Sequence, residues 1–210
     1  MQVLTQASNL RQTLAGTDES ALITMLSSEY QSLEGMFFPS TYFYSTQSSD
    51  LDILKRAYDT MQSVLDAHWQ RRQPDLPYEN PYEALIMASI IEKETGQAAE
   101  RKQIAGVFVR RLQKGMKLQT DPTVIYGLGE AFDGNLRRKD LRTDTPYNTY
   151  TRSGLPPTPI AMPGEASIEA ALHPADGKAL YFVAKGNGWH AFSATLREHN
   201  AAVRKYQLKK

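Results

Sequence analysis

The sequence of 210 residues contains no cysteine. It therefore has no disulfide, no thiolate nucleophile and no cysteine-ligated zinc site. No stretch reaches the roughly 18 apolar residues of a membrane-spanning helix, and the N-terminus lacks the charged segment followed by an apolar segment that marks a signal peptide. We therefore expect either a protein that is soluble throughout or one whose anchor lies outside this sequence.

An excess of charge of one sign is also missing. The chain has 24 basic and 23 acidic side chains, which leave a formal net charge of +1. A chain that is nearly neutral has no global field with which to attract nucleic acid or an anionic membrane surface. We therefore expect no nucleic-acid partner, and a neutral polymer or a small molecule is the easier substrate.

Several common catalytic motifs are absent. Of the four histidines, His68, His173, His190 and His199, none forms a His-Glu-x-x-His pair. A metal site would require the fold to gather the last three of them, and structural or cleft-lining roles are favoured. There is no Gly-x-Ser-x-Gly motif, and residues 127–129 lack the third glycine and the preceding strand of a phosphate-binding loop. The sequence therefore predicts no metal and no cofactor.

Glu94 stands out because it ends an almost wholly apolar helical run over residues 84–95. Helical spacing places it above Ile90 and Ile91, whereas Glu92 lies above smaller residues on another face. A carboxyl group among apolar neighbours is desolvated, which raises its pKa towards the range of a general acid. The alternative is that both glutamates are surface carboxylates on the last helical turn.

Polar and turn-forming residues dominate residues 116–164, which we interpret as the wall of a cleft. The candidate substrate-binding residues in this stretch are Gln119, Thr120, Asp121, Tyr126, Tyr147, Asn148 and Tyr150. Cleavage of a sugar usually requires two carboxylates, and Asp121 is the one attractive partner for Glu94. The order Thr-Asp-Pro-Thr around Asp121 is equally typical of a helix start.

The apolar pattern predicts an α+β fold with a helical N-terminal half, a loop-rich active-site cleft and a small C-terminal β element. Helices are predicted over residues 50–72, 81–94, 98–114, 167–172 and 194–206, and short helices within residues 3–30 with Asp18 and Ser20 as capping candidates. Residues 33–44 favour an extended or strand-and-loop segment. The aromatic residues of that segment either pave a sugar subsite or, more commonly, pack in the core. A hairpin is predicted around residues 186–188.

Six groups of residues, in the same order along the chain, resemble the endolytic murein transglycosylase family, also called YceG-like or MltG. They are LEG with FPSTY (33–35 and 38–42), ASIIEKET (88–95), LQTDPTVIY (118–126), YNTY (147–150), GLPP (154–157) and HPA (173–175). The resemblance covers roughly residues 10–206. The sequence departs from the family pattern at Ser40, where the family often has Asp, and at Thr158, where it often has Gly. Both departures concern substrate positioning more than the chemistry.

The resemblance implies a lyase that cleaves the β-1,4 bond between N-acetylmuramic acid and N-acetylglucosamine inside nascent peptidoglycan. The muramic C6 hydroxyl attacks its own C1 and leaves a 1,6-anhydro end, so that strand elongation is limited. One catalytic glutamate suffices, and the family position falls on Glu94. Two alternatives remain open: a peptidoglycan-binding module without turnover, and a hydrolase that releases reducing ends.

The resemblance also implies a location and partners. Family members usually carry a transmembrane helix and a LysM-like subdomain ahead of the catalytic domain. We therefore interpret residues 1–30 as the end of a connecting region and residues 31–210 as the catalytic domain. The expected setting is the bacterial inner membrane, with the catalytic domain facing the periplasm. Peptidoglycan strands are the expected partner, and peptidoglycan synthases with the elongation or division machinery are further candidates.

Overall fold

The computed structural model describes residues 2–26 and 28–208, and it confirms the predicted α+β class. The helices are α1 (Gln2–Thr5), α2 (Glu19–Met25), α3 (Asp50–Gln70), α4 (Pro81–Glu94), α5 (Arg101–Gln113), α6 (Asp121–Leu128), α7 (Glu165–Leu172) and α8 (Leu196–Tyr206). Short 3-10 turns span Ala98–Glu100 and Gly129–Ala131, and the strands are β1 (Tyr181–Ala184) and β2 (His190–Ser193). Within the described ranges, no helix is both long and apolar enough to cross a membrane.

Helix α4 lies at the centre of the domain. Its start is fixed by Asn80, whose side chain accepts a hydrogen bond from the Glu83 backbone N–H at 3.1 Å, and by Pro81 in the first helical position. Residues 84–91 are at most 3% exposed. A helix that is apolar on all its faces must be covered by other elements, and here α3, α5, α6 and α7 pack around it.

Helix α3 shows the amphipathic pattern that the sequence predicts. It begins with a capping box, in which the Ser49 side chain accepts from the Asp52 N–H and the Asp52 carboxylate accepts from the Ser49 N–H. The apolar side chains on its inner face, such as Met61 and Leu65, are buried against α4 and α7. Helix α3 ends at Gln70, two residues before the predicted end.

Hydrogen bonds connect the segment over residues 2–26 to the rest of the domain. The carboxylate of Asp50 accepts hydrogen bonds from the backbone N–H and the hydroxyl of Thr13 and from the Leu14 N–H, at 2.9, 2.5 and 3.1 Å. Asp18 caps α2 as predicted, since its side chain accepts from the Ala21 N–H. Ser20 lies inside α2, so its prediction as a cap is wrong. The interpretation of residues 1–30 as a connecting region stays a prediction.

Residues 33–44 form no strand and follow an irregular path. Gly35 adopts φ +76°, and a Cβ atom at this position would lie 2.4 Å from the Cβ of Pro159. Glycine is therefore required where this segment crosses residues 159–161. Of the aromatic residues, Phe37 and Phe38 pack against the core, whereas Phe43 is exposed.

The stretch over residues 116–164 is mostly irregular, as predicted, but it contains one helix that the pattern missed. Helix α6 begins directly after Thr120, with Asp121 and Pro122 as its first residues. A helix does start at the Thr-Asp-Pro-Thr order, but the N-cap residue Thr120 makes no side-chain capping hydrogen bond and Asp121 is the first helical residue. A helix of eight residues has too few apolar positions to show a helical period among polar neighbours.

The C-terminal hairpin lies against α5. Strand β1 pairs antiparallel with β2, so that Ala184 is opposite His190 at the turn end of the hairpin. Arg110 and Arg111 of α5 donate hydrogen bonds from Nε to the carbonyl oxygens of Ala179 and Leu180, at 2.9 and 2.7 Å. These bonds fix the hairpin at a position where β1 and α8 face the end of α4.

Candidate active site

Glu94 is the last residue of α4, and its side chain opens into a cleft of about 430 Å³. The cleft lies between the segment over residues 118–121 on one side and the hairpin with α8 on the other. Thr95, which follows Glu94, is extended and ends the helix. A carboxylate at a helix C-terminus faces the negative end of the helix dipole, which disfavours its ionised form.

The environment of Glu94 raises its pKa to about 7. Burial is the largest cause, and the nearby negative charge of Asp121 adds to it. Two effects oppose the rise: the Thr120 hydroxyl donates a hydrogen bond to Glu94 Oε1, and His190, when it is protonated, contributes a positive charge. With a pKa near neutrality, Glu94 can both give and take a proton at physiological pH.

The segment that carries Thr120 is held in a strained conformation. Gln119 adopts φ +50°, which costs a residue other than glycine on the order of 1–3 kcal/mol. Thr149 fixes this conformation, because its carbonyl oxygen accepts from the Gln119 N–H and its hydroxyl accepts from the Thr120 N–H, both at 3.1 Å. The Gln119 carboxamide oxygen accepts from Arg111 Nη1 at 3.4 Å, which leaves the amide N–H groups available for a ligand.

Asp121 and Tyr150 form a second polar pair on the same wall of the cleft. The Tyr150 hydroxyl donates to Asp121 Oδ1 at 2.5 Å. Burial and this hydrogen bond raise the pKa of Tyr150. Tyr150 is therefore a neutral phenol whose proton is committed to Asp121, and its oxygen can accept a hydrogen bond from a sugar hydroxyl.

Glu92 lies in a different environment from Glu94. Its Oε2 accepts hydrogen bonds from the Gly164 N–H at 3.1 Å and from the Ser167 hydroxyl at 2.6 Å. Both donors lie at the N-terminal end of α7, where a negative charge is favoured by the helix dipole. Glu92 therefore joins α4 to α7 and does not line the cleft.

The predicted substrate-binding residues fall into two groups. Gln119, Asp121 and Tyr150 line the cleft with Glu94, and Thr120 contacts Glu94 directly. Tyr126, Tyr147 and Asn148 do not line it.

The second group has partners of its own. The Tyr126 hydroxyl donates to Glu34 Oε2 at 3.2 Å, and the Tyr126 and Tyr147 rings lie 4.8 Å apart. The Tyr147 hydroxyl is 2.8 Å from the Thr158 hydroxyl, one of the two positions that depart from the family pattern. Asn148 is 1% exposed, and its side chain bonds only within its own loop (Nδ2 to the Asp140 and Thr143 carbonyl oxygens, Oδ1 from the Tyr150 N–H) among the residues that the structure describes. Their assignment as substrate-binding residues stays a prediction.

The sequence interpretation missed several residues of the cleft. Arg111 is 7% exposed, and its guanidinium lies 5.1 Å from the ring of Tyr181. A signal for Arg111 was present, because it follows Val107 and Phe108 by four and three residues and so shares their buried face. No sequence signal places β1, His190 or His199 opposite Glu94, since that arrangement depends on how the hairpin docks on α5.

The histidines are not gathered into one group. His190 and His199 line the cleft, whereas His173 lies at the end of α7. In the described part of the chain, no cluster of three His, Asp or Glu side chains could hold a metal ion. The absence of a metal from the reaction stays a prediction.

Comparison with known families and proteins gives one consistent result. The YceG-like family matches residues 2–205. The endolytic murein transglycosylase of Bacillus subtilis (strain 168) is 40% identical over an alignment that covers 93% of this chain and 58% of the relative. The endolytic murein transglycosylase of Streptococcus pneumoniae serotype 2 (strain D39 / NCTC 7466) is 31% identical over 81% of this chain and 32% of that protein.

A solved structure shows the same fold. The 2.6 Å crystal structure of a yceG-like protein from Listeria monocytogenes superposes with a TM-score of 0.72 and 38% sequence identity, over 88% of this chain and 63% of that one. The chain therefore spans less than two thirds of the relatives that it matches.

Proposed function

This chain belongs to the YceG-like family, and from that membership we propose that it is an endolytic lytic transglycosylase of peptidoglycan. It cleaves the β-1,4 bond between N-acetylmuramic acid and N-acetylglucosamine within nascent strands and leaves a 1,6-anhydro end. The observation that supports this function best is the cleft carboxyl of Glu94, whose pKa of about 7 suits proton transfer in both directions.

The proposed reaction needs no water. Protonated Glu94 donates its proton to the glycosidic oxygen as the bond from C1 to that oxygen breaks. The C6 hydroxyl of the muramic residue attacks C1 and gives up its proton, which restores the acid form of Glu94. Because Glu94 regains its proton by the end of the cycle, a second catalytic carboxylate is not required, and Asp121 is free to bind substrate.

We assign the other residues of the wall from their contacts. Gln119, Asp121 and Tyr150 hold the sugars, since their side chains line the cleft with hydrogen-bonding groups. Thr120 sets the protonation of Glu94 through its hydroxyl. Tyr126, Tyr147 and Asn148 shape the loop from which the wall is built.

The test compares Glu94→Gln with Glu92→Gln. The first change removes the transferable proton, so cleavage should fall by a factor on the order of 10² or more. The second is a matched control on the same helix, because the amide oxygen of Gln can still accept from Gly164 and Ser167. The measurement is the rate at which each purified variant releases anhydromuramic ends from nascent glycan, read by mass spectrometry.

A stability measurement separates lost chemistry from lost fold. The pKa of Glu94 in the folded protein is raised above its ordinary value of 4.5, so folded protein binds more protons than unfolded protein between about pH 4.5 and 7. The unfolding free energy that this group contributes therefore falls as pH rises through that window. Glu94→Gln should be at least as stable as the wild type at pH 8, and a strongly destabilised variant would leave only Glu92→Gln informative.

The mass spectrum also decides between the proposed function and its alternatives. Reducing ends, heavier by one water, would indicate a hydrolase. Binding of glycan without any cleavage by the wild type would indicate a binding module. Equal loss of activity in both variants would remove the distinction between the two glutamates.

We propose the location and partners by the same route. The relatives are named for an activity on murein, and nascent strands are made at the cell membrane. The proposed setting is the periplasmic face of the bacterial inner membrane, beside peptidoglycan synthases and the elongation or division machinery. Fractionation of cells that express the full-length protein tests this, and recovery in the cytosolic fraction would contradict it.

A further inference from the structure

His190 is held by a buried carboxylate at the edge of the cleft. Its Nδ1 lies 2.8 Å from Glu100 Oε2, and its backbone N–H donates to Glu100 Oε1 at 2.9 Å. The two side chains are only 12% and 5% exposed. The ring of Phe182 stands edge-on to the imidazole, with centroids 5.3 Å apart. The orientation of His190 is therefore fixed from two sides.

The contact with Glu100 determines which ring nitrogen is free. A carboxylate accepts hydrogen bonds, so in the neutral imidazole the proton is on Nδ1 and the lone pair is on Nε2. Nε2 makes no hydrogen bond within residues 2–26 and 28–208. His190 lines the same cleft as Glu94. An oriented base next to a catalytic acid is the arrangement of an enzyme that uses two groups for proton transfer.

We propose that His190 is a second catalytic residue, which accepts the proton of the attacking hydroxyl at Nε2, with Glu100 as its positioning residue. This proposal rests on the proposed function. As the C1–oxygen bond breaks, Glu94 gives its proton to the leaving oxygen. The C6 oxygen bonds to C1, and its proton moves to His190 Nε2. The imidazolium then returns that proton to the Glu94 carboxylate, and both groups are ready for the next strand.

The charge balance favours this relay. After Glu94 has given its proton, the cleft holds a new carboxylate that faces the imidazolium, while Glu100 stabilises the same imidazolium from the opposite side. No net charge is created in the cleft during the reaction, because one negative and one positive charge form together. A buried site disfavours an isolated charge, so paired transfer lowers the cost of the step.

The test uses His190→Gln, with His68→Gln as its matched control. His68 is also a largely buried histidine hydrogen-bonded to a glutamate, with its Nε2 3.0 Å from Glu165 Oε1 and its side chain 10% exposed. It lies on α3, outside the cleft. We expect His190→Gln to lower kcat by a factor on the order of 10², with a smaller change in KM, and His68→Gln to keep the wild-type rate.

Two further variants separate chemistry from structure. His190→Ala should regain activity when imidazole is added, and a series of substituted imidazoles should restore rates that follow their basicity. Glu100→Gln removes the carboxylate but keeps an acceptor oxygen, so the fold should persist while kcat falls about tenfold or more, because the tautomer is no longer fixed. If His190→Gln does not fold, the rate of Glu100→Gln decides whether the Glu100–His190 pair takes part in catalysis.

Three outcomes would overturn the assignment of His190. They are a wild-type rate in folded His190→Gln, an equal loss in His190→Gln and His68→Gln, and rescue that depends on the size of the added imidazole but not on its basicity. The chemical identity of the product tests the proposed function separately from the role of His190. If the wild type releases reducing ends, the proposed function is wrong, and the same variants then show whether His190 activates water.

Discussion

At the scale of single residues, the protonation of Glu94 reflects opposing contacts. Burial and the charge of Asp121 favour the acid form, whereas the Thr120 hydroxyl and a protonated His190 favour the carboxylate. Burial is the largest effect and the opposing contacts limit the rise that it causes, so the pKa settles at about 7. A catalytic acid that must give up a proton and regain it in every cycle requires this balance, because a large shift in either direction would disable one half of the cycle.

The contact with Thr120 provides a direct test of the balance. Thr120→Val keeps the shape of the side chain and removes the hydroxyl that stabilises the Glu94 carboxylate. The pKa of Glu94 should rise, so the acid form should persist to higher pH. We expect the basic limb of the kcat/KM profile to move up by about one pH unit, since one hydrogen bond to a charged group contributes roughly 1.5–3 kcal/mol, partly offset by solvent.

Thr120→Ser is the control, because serine retains the hydroxyl donor. Its pH profile should match that of the wild type. A downward shift of the basic limb in Thr120→Val would mean that the hydroxyl favours the acid form, contrary to its role as a donor to Oε1.

The two glutamates of α4 show how far single residues can be predicted. The helical period places Ile90 and Ile91 beneath Glu94, and this pattern together with the family resemblance predicts Glu94 as the catalytic residue. The partners of Glu92, Gly164 and Ser167, are more than 70 residues away along the chain. No local pattern gives such a contact. The catalytic candidate was therefore predictable, whereas the structural role of its neighbour was not.

At the scale of elements, a helix can be predicted from the sequence when it is long and has clear start signals. The sequence indicates α3 and α4 with nearly correct bounds, since each has at least 14 residues and clear start signals. The hairpin is predicted by its turn, where Gly186 and Gly188 adopt φ +84° and +82°. Helix α6 is missed, because eight residues in a polar stretch carry too little periodic signal. The loop that completes the cleft wall depends on side-chain contacts and has no sequence period at all.

Substitution of Asn148 tests whether hydrogen bonds of its side chain stabilise this loop. Its side chain makes three hydrogen bonds, to the carbonyl oxygens of Asp140 and Thr143 and from the Tyr150 N–H. Asn148→Ala should lower the unfolding free energy by about 2–4 kcal/mol, since three partly buried backbone groups would lose their partners. Asn135→Ala, at an exposed position in the same stretch, should cost less than about 0.5 kcal/mol.

Thermal unfolding and glycan binding, measured on both Asn variants, give the answer. The sequence alone favours the opposite result, in which Asn148→Ala weakens glycan binding and leaves the thermal midpoint nearly unchanged. That outcome would return Asn148 to the substrate-binding group. A lower midpoint, with binding reduced only in proportion to the folded fraction, supports its role in the loop.

At the scale of the whole molecule, the N-terminal segment is packed as part of the core. Leu14, Leu22 and Leu26 are at most 8% exposed and belong to the same cluster as the apolar residues of α4. Asp50 connects this segment to α3. Burial by itself would raise the pKa of Asp50, but hydrogen bonds from Thr13 and Leu14 hold it below its usual value.

Removal of residues 1–30 tests the domain boundary that the sequence predicts. The shortened chain should lose at least about 4 kcal/mol of unfolding free energy, because three buried leucines contribute roughly 1.5–3 kcal/mol each and Asp50 would lose its N-terminal donors. Removal of residues 1–9 alone is the control and should cost far less, since Val3 is 82% exposed.

The measurement is the denaturant midpoint of each chain, together with the Glu94-dependent cleavage rate. Equal midpoints for the full chain and the chain that starts at residue 31 would restore the predicted boundary. A large loss of unfolding free energy on removal of residues 1–30, with little loss on removal of residues 1–9, would instead show that the segment with the three leucines is part of the catalytic domain. This segment supports the side of the core on which α3 and α4 pack.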